Sequence, residues 1–254
     1  MFNRTGLLVK ETTYLLKHLD KDNDWEQAKQ KLHDSGYIPS TYRNYELSRE
    51  IRKRFTNNID HLPLLNTIKL IAKANINPIS KAEIYFVYLY QYDQNVQQIV
   101  RKIYNLFENN QRNPLLQRKT ILQMTQIYLK RNKKIINEKT VQNWIGKLIS
   151  TLKETRILIP KSRNTYLINI GGLTIETWSF FLMDAFYSQY GFENALFKQP
   201  FNLQNEQIVN LIERSQQYDW IHYSITDFSK KSLEFNYEPK FNSIQEWLAI
   251  LDNY

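Results

Sequence analysis

The spacing of apolar residues changes between residues 138 and 170 from a helical to an alternating pattern. Apolar side chains first recur at intervals of three and four, which predicts a helix with one buried stripe. Asn137 is its expected N-cap, residues 157–159 follow as a short strand, and residues 160–164 are expected to form a turn. The helical stripe consists of Val141, Trp144, Ile145, Leu148, Ile149 and Leu152, and the alternating residues of a second strand are Tyr166, Ile168 and Ile170.

A second periodic segment precedes this unit. We expect a helix from Leu115 to about Arg131, followed by a basic turn over residues 131–134. The resulting order is helix, short turn, helix and two-stranded ribbon, which is typical of a winged helix-turn-helix. In that fold the second helix enters the major groove of DNA and the tip of the ribbon contacts the phosphate backbone.

The charge of the chain is unevenly distributed. Residues 1–100 have a net charge of +3, residues 101–170 have +12, and residues 171–254 have −6. A compositional bias toward lysine would act along the whole chain, so it does not explain why acidic residues nearly vanish from the middle segment. A local excess of this size favours a polyanionic partner, and nucleic acid is the expected one.

Candidate DNA contacts follow from the predicted elements. Gln and Asn can bind adenine edges, and Lys can bind guanine or phosphate. We expect groove contacts from Lys139, Gln142, Asn143 and Lys147, and phosphate contacts of the ribbon from Lys161 and Arg163. Further backbone contacts are expected from Lys130, Arg131, Lys133 and Lys134, with Arg49, Arg52 and Lys53 extending the footprint.

The chain is predicted to be mainly helical and to have two domains. Residues 1–112 form an all-helical domain, in which the aromatic run at 85–92 is core and Ser80 and Glu83 have the spacing of a capping box. The polar segment 109–114 is the expected boundary, and residues 113–254 contain the winged helix. A second helix-and-ribbon unit is possible at 204–238, but its net charge of −2 suits protein contacts better than DNA.

No catalytic residues, metal ligands or cofactors are predicted. The chain has no cysteine and only six glycines, and its four histidines are scattered. Asp227 with Glu238 and Lys240 is similar to the carboxylate–lysine set of restriction-type nucleases, but the intervening proline does not suit the strand that such a site needs. No segment is long and apolar enough to cross a bilayer, so we expect a soluble cytoplasmic protein without membrane contact.

Six segments of the chain form a distinctive series. They are Gly6-Leu-Leu-Val-Lys-Glu-Thr12, Asp24-Trp-Glu26, the Arg-rich helix at 43–54, Pro63-Leu-Leu65, Lys81-Ala-Glu-Ile-Tyr-Phe-Val-Tyr-Leu89 and Leu152-Lys-Glu-Thr-Arg-Ile-Leu158. Together they resemble the BrxA family of the BREX bacteriophage-exclusion systems, and the resemblance covers roughly residues 5–110 and 137–170. It implies a mostly helical, non-enzymatic DNA-binding accessory protein, whose companions include a methyltransferase, an ATPase and an alkaline-phosphatase-like protein.

Three alternatives fit the same sequence features. A transcriptional regulator would use the winged helix at one tight operator site. An RNA-binding protein of the antitermination type would use the Arg-rich N-terminal helix as its contact. A protein-interaction scaffold would dock an acidic partner on the basic face and would have negligible affinity for nucleic acid at physiological salt.

Overall fold

The computed structural model describes residues 6–38, 40–56, 59–109, 115–228 and 233–251. Within these ranges the chain is mainly helical, with short antiparallel strands in its second half, and this coarse prediction is confirmed. The helices of the first half are α1 (Val9–His18), α2 (Trp25–Asp34), α3 (Thr41–Thr56), α4 (Leu65–Lys73), α5 (Pro78–Tyr92) and α6 (Gln94–Asn109).

The second half contains two helix-and-strand groups. The first is β1 (Leu115–Gln117), α7 (Arg118–Arg131), α8 (Glu138–Glu154), β2 (Leu158–Ser162) and β3 (Thr165–Ile168). The second is α9 (Ile175–Tyr187), α10 (Lys198–Phe201), α11 (Asn205–Ser215), β4 (Ile221–Phe228), β5 (Leu233–Pro239) and α12 (Ile244–Leu251).

Side-chain caps fix where several helices begin. Asp24 accepts hydrogen bonds from the backbone of Glu26 and Gln27 at the start of α2, and Asn137 accepts from the amide of Lys139 at the start of α8. Such caps satisfy amides that have no partner within the helix. The predicted N-cap of α8 is therefore confirmed.

The strand β1 was not expected from the sequence. It forms the edge of a three-stranded antiparallel sheet in the order β1-β3-β2, with Leu115 opposite Leu167 and Leu116 opposite Tyr166. The prediction of a helix starting at Leu115 is therefore wrong, and α7 begins at Arg118. A three-residue strand exists only through pairing with a distant partner, so no local pattern reveals it.

The core is continuous across the predicted domain boundary. Buried residues from both halves form one hydrophobic cluster. The amide of Leu7 donates to Thr151 Oγ1 at 3.0 Å, and the hydroxyl of Tyr104 donates to the Pro200 carbonyl at 2.7 Å. Residues 110–114 of the expected linker lie outside the described residues, so the two-domain division stays a prediction.

Helix α5 is the central element of this core. Tyr85, Phe86, Tyr88 and Tyr90 are all buried, which confirms that the aromatic run serves as packing. The expected capping box at Ser80 and Glu83 is wrong, because the helix already begins at Pro78 and is capped by Asn77. Glu83 instead points across the core, where it accepts hydrogen bonds from the amide of Thr174 at 3.0 Å and from its hydroxyl at 2.6 Å.

The second ribbon was correctly predicted as two strands. β4 and β5 pair with Tyr223 opposite Tyr237, and Tyr223 accepts hydrogen bonds from Trp178 of α9 and Ser215 of α11. Phe186 of α9 is 42% exposed. It lines a groove between the end of α9 and β5, because the ring of Tyr237 packs beside it.

Candidate nucleic-acid interface

The turn between α7 and α8 is closed by a Schellman motif. The amide of Lys134 donates to the Leu129 carbonyl at 3.0 Å, and the amide of Lys133 donates to the Lys130 carbonyl at 3.1 Å. Lys133 occupies the left-handed position of this motif with φ of 51°, where glycine is the usual residue. The motif presents the exposed cations Lys130, Arg131 and Lys133 at the end of α7.

Helix α8 has one apolar and one polar face, as the sequence predicts. The stripe from Val141 to Leu152 is buried. On the opposite face Lys139 and Asn143 are exposed and Gln142 is half-buried, so their polar groups can reach a ligand. Gly146 follows on this same face, one turn after Asn143.

The ribbon formed by β2 and β3 presents two cations at its tip. Pro160 pairs with Tyr166 and Ser162 pairs with Thr165, so Lys161 is the extra residue of a β-bulge. A bulge redirects the side chain that it contains. Lys161 and Arg163 are both exposed. The turn is confined to residues 163–164 rather than spanning 160–164, so β2 extends to Ser162, further than expected. β3 ends at Ile168, so the expected strand residue Ile170 lies beyond it.

Arg118 links the ribbon to α8, and the sequence analysis missed it. Its amide donates to the Asn164 carbonyl in the ribbon turn at 2.9 Å. A methyl group placed on Gly146 would lie 3.9 Å from Arg118 Nη2, so its guanidinium lies beside the exposed face of α8. Arg118 is thus next to both parts: its backbone amide bonds to the ribbon turn and its side chain lies beside the middle of α8. The sequence indicates a role for Arg118 only through its charge. Its position next to the ribbon follows from strand β1, which the sequence did not predict.

Two of the expected contacts face the N-terminal half instead of the open side of α8. A methyl group on Gly6 would lie 3.7 Å from Lys147 Cβ, so Lys147 lies at the edge of α8 beneath the start of the chain. Lys134 donates to Asn95 Oδ1 at 3.3 Å and lies 5.6 Å from the ring centre of Tyr128. Lys147 and Lys134 are therefore poorly placed to contact DNA that is bound on the open side of α8.

The structure does not bring Arg49, Arg52 and Lys53 next to α8. On α3 it is the buried Arg54 that points toward that side, donating to the Gly6 carbonyl at 3.0 Å. Burial lowers the pKa of Arg54 to about 10. At 3.6 residues per turn, Arg49 and Arg52 project about 140–160° away from Arg54. These cations belong to a separate surface.

We call Arg118, Lys139, Asn143, Lys161 and Arg163 the basic surface. Residues 115–170 contain twelve Lys or Arg and only two acidic residues, Glu138 and Glu154. None of the four cations of the basic surface makes an ion pair within the described ranges. Their charges are therefore available to an anion in solution.

The nuclease-like residues do not converge. In the ribbon Asp227 lies opposite Glu234, whereas Glu238 lies opposite His222, five positions away along β4. Lys240 forms an ion pair with Asp219. Across the part of the chain that the structure describes, no group of three or more His, Cys, Asp or Glu residues could hold a metal ion.

Two further findings do not depend on the basic surface. Searched over the described residues, the helices include none with the length and apolarity that a membrane span requires. No protein-family model, curated protein or solved structure matches the chain.

Proposed function

We propose that this protein is a non-enzymatic, double-stranded DNA-binding protein that contacts duplex DNA mainly through its phosphates. The observation that supports this best is the clustering of unpaired cations around an exposed helix face and a bulged ribbon tip. A surface with this charge and shape suits a regular array of phosphates better than a small ligand.

The order of elements supports a winged helix-turn-helix. Strand β1, helices α7 and α8, and the hairpin β2–β3 follow one another, and the sheet has the order β1-β3-β2. In such a unit α8 is the helix that enters the major groove and the β2–β3 ribbon is the wing. We propose these two roles for the present chain.

Each part of the basic surface then has a chemical role. Asn143, together with Gln142 next to it on α8, would contact base edges, for which adenine is the favoured partner. Lys139, Arg118, Lys161 and Arg163 would pair with phosphates, which fix the register of the protein but do not select a sequence. Because cations dominate the surface, we expect weak sequence preference and strong dependence on salt.

The resemblance to the BrxA family extends this proposal to a biological setting. The protein would act in the cytoplasm as an accessory of a BREX phage-defence system. Its partners there would include the methyltransferase, the ATPase or the alkaline-phosphatase-like protein. The acidic C-terminal part, with its exposed ribbon residues Glu234 and Glu238, would be free to contact such partners while DNA occupies the basic surface.

The proposal is tested with a charge-reversal variant that combines Lys139→Glu and Arg163→Glu. Both side chains are exposed, so the variant is expected to fold. We expect its affinity for random-sequence duplex DNA to fall about tenfold or more, since two phosphate contacts become repulsive. Fluorescence anisotropy with a labelled duplex at about 0.1 M salt measures this change.

A matched control reverses two exposed lysines elsewhere, Lys21→Glu with Lys73→Glu. It changes the net charge by the same amount but leaves the basic surface intact, so its affinity should stay within about twofold of the wild type. Equal losses in the two variants would contradict a localised site and would indicate a general charge effect.

A further inference from the structure

The exposed face of α3 combines aromatic rings with cations. Tyr42 is 68% exposed and Tyr45 is 51% exposed, which is unusual for rings that normally bury their area. Tyr42, Tyr45, Arg49 and Arg52 follow at intervals of three and four residues, so they share one side of the helix over about 15 Å. We call these four residues the α3 stripe.

Two cations lie close to the ring of Tyr45. Lys29 Nζ of the neighbouring helix, which also pairs with Glu26, lies 5.3 Å from the ring centre, and the guanidinium of Arg49 of the stripe lies 6.0 Å from it. Arg49 also lies 3.5 Å from Glu50, whose carboxylate lies 3.7 Å from Lys53 as well. One carboxylate therefore serves two cations, and Arg52 has no acidic partner in the described part of the chain.

Helix α3 as a whole keeps a positive charge. Residues 41–56 contain five Lys or Arg and two Glu, and only Arg54 of these five is buried. The hydroxyl of Tyr42 donates to Glu46 Oε1 at 3.0 Å, which holds its ring along the helix while leaving it exposed. The stripe thus offers fixed aromatic surfaces next to positive charge.

We propose that the α3 stripe is a second nucleic-acid site, which binds single-stranded DNA or RNA. Unpaired bases would stack on Tyr42 and Tyr45, and the phosphates between them would pair with Arg49, Arg52 and Lys29. Base stacking on aromatic rings combined with a cationic groove is how proteins hold single strands without selecting their sequence.

Duplex DNA is a poor ligand for this surface. Its bases already stack on one another, so it offers no free base face to an exposed tyrosine. The stripe also lies on the side of α3 that is turned away from Arg54 and α8, so we expect a duplex on the basic surface to leave the stripe free. The two sites are therefore separable by mutation.

The test uses the full chain and labelled strands of about 20 nucleotides, poly-dT and poly-U, with a random duplex of the same length. In the variant Tyr42→Ala with Tyr45→Ala we expect the affinity for at least one single strand to fall about tenfold or more. Its affinity for duplex is expected to match that of the wild type. The strand that the wild type binds more tightly identifies DNA or RNA as the source of the ligand.

Two controls separate stacking from other effects. The variant Tyr42→Phe with Tyr45→Phe keeps both rings and should keep single-strand affinity within about twofold. Tyr218→Ala removes a tyrosine that is 50% exposed in the acidic C-terminal part, and it should change nothing. Circular dichroism melting confirms that each variant is folded.

The proposal is overturned if the wild type binds neither single strand at about 0.15 M salt, or if the double alanine variant binds both as well as the wild type. It is also overturned if Lys139→Glu with Arg163→Glu abolishes single-strand binding, because the single strand would then occupy the basic surface. These results do not depend on duplex binding, so failure here is distinguishable from failure of the proposed function.

Discussion

At the scale of single residues, the turn before α8 has a lysine at a backbone position where glycine is usually found. Lys133 has φ of 51° at the left-handed position of the Schellman motif. A side chain with a Cβ is disfavoured there by about 1 kcal/mol. The chain has only six glycines, and a lysine at this exposed site adds a cation beside the basic surface. We infer that charge, not backbone stability, accounts for the residue at this position.

Lys133→Gly is therefore predicted to raise stability and to weaken duplex binding. Relief of the left-handed conformation should increase the free energy of unfolding by about 1 kcal/mol, and loss of one cation should weaken binding a few-fold. Thermal melting and anisotropy measure the two effects. Lys130→Gly is the matched control, since it removes a cation from inside α7 and should lower stability by about 1 kcal/mol. A lower melting temperature for Lys133→Gly would contradict the argument.

At the scale of elements, a buried carboxyl group joins α5 to the start of α9. Burial raises the pKa of Glu83 to about 7, although hydrogen bonds from Thr174 and Thr177 and the charge of Arg156 oppose this shift. Ser80 of α5 donates to Glu176 of α9 in the same contact. The two helices are thus held together by polar groups, one of which, the Glu83 carboxyl, changes its charge near neutral pH.

This contact predicts that the protein loses stability as pH rises. The folded-state pKa of Glu83 lies above its ordinary value of 4.5, so the folded state binds the proton more tightly than the unfolded state. The stabilisation that comes from this tighter proton binding is complete below about pH 4.5 and is lost by about pH 7. Over this range the free energy of unfolding should fall by about 3 kcal/mol. Glu83→Gln should flatten this decline while keeping the oxygen that accepts from Thr174.

Denaturant unfolding between pH 5 and 8 measures the effect. Burial also raises the pKa of Asp184, to about 6. The free energy of unfolding of Glu83→Gln should therefore still decline between pH 5 and 6. If the free energy of unfolding of Glu83→Gln falls with pH as steeply as that of the wild type, the Glu83 carboxyl is not the cause of the decline.

Elements with a strong local signal were predictable from sequence. The stripe of α8 and both ribbons follow from periodicity, and the cap at Asn137 follows from residue type. Strand β1 was not predictable, because Leu115 and Leu116 form it only by pairing with β3. The capping box predicted at Ser80 was wrong for a similar reason. Glu83 accepts its hydrogen bond from the amide of Thr174, 91 residues away, instead of from the start of its own helix.

At the scale of the whole molecule, the charge gradient was readable from sequence but its geometry was not. The ribbon turn and α8 lie on one surface because Arg118 is bonded to the turn through its backbone amide and places its guanidinium beside α8. Arg49 and Arg52 are excluded from it, because the packing of α3 turns Arg54 toward α8 and the stripe away. Such relations depend on how helices pack, which residue periodicity does not specify.

The most direct test of DNA binding through the basic surface is the salt dependence of duplex affinity. If Arg118, Lys139, Lys161 and Arg163 of the basic surface and Lys133 of the turn before α8 each neutralise a phosphate, log K should fall linearly with the log of the salt concentration, with a slope of about −4.5. In the variant Lys139→Glu with Arg163→Glu the slope should become shallower by about 2. A wild-type slope near zero, or no duplex binding near physiological salt, would contradict the account.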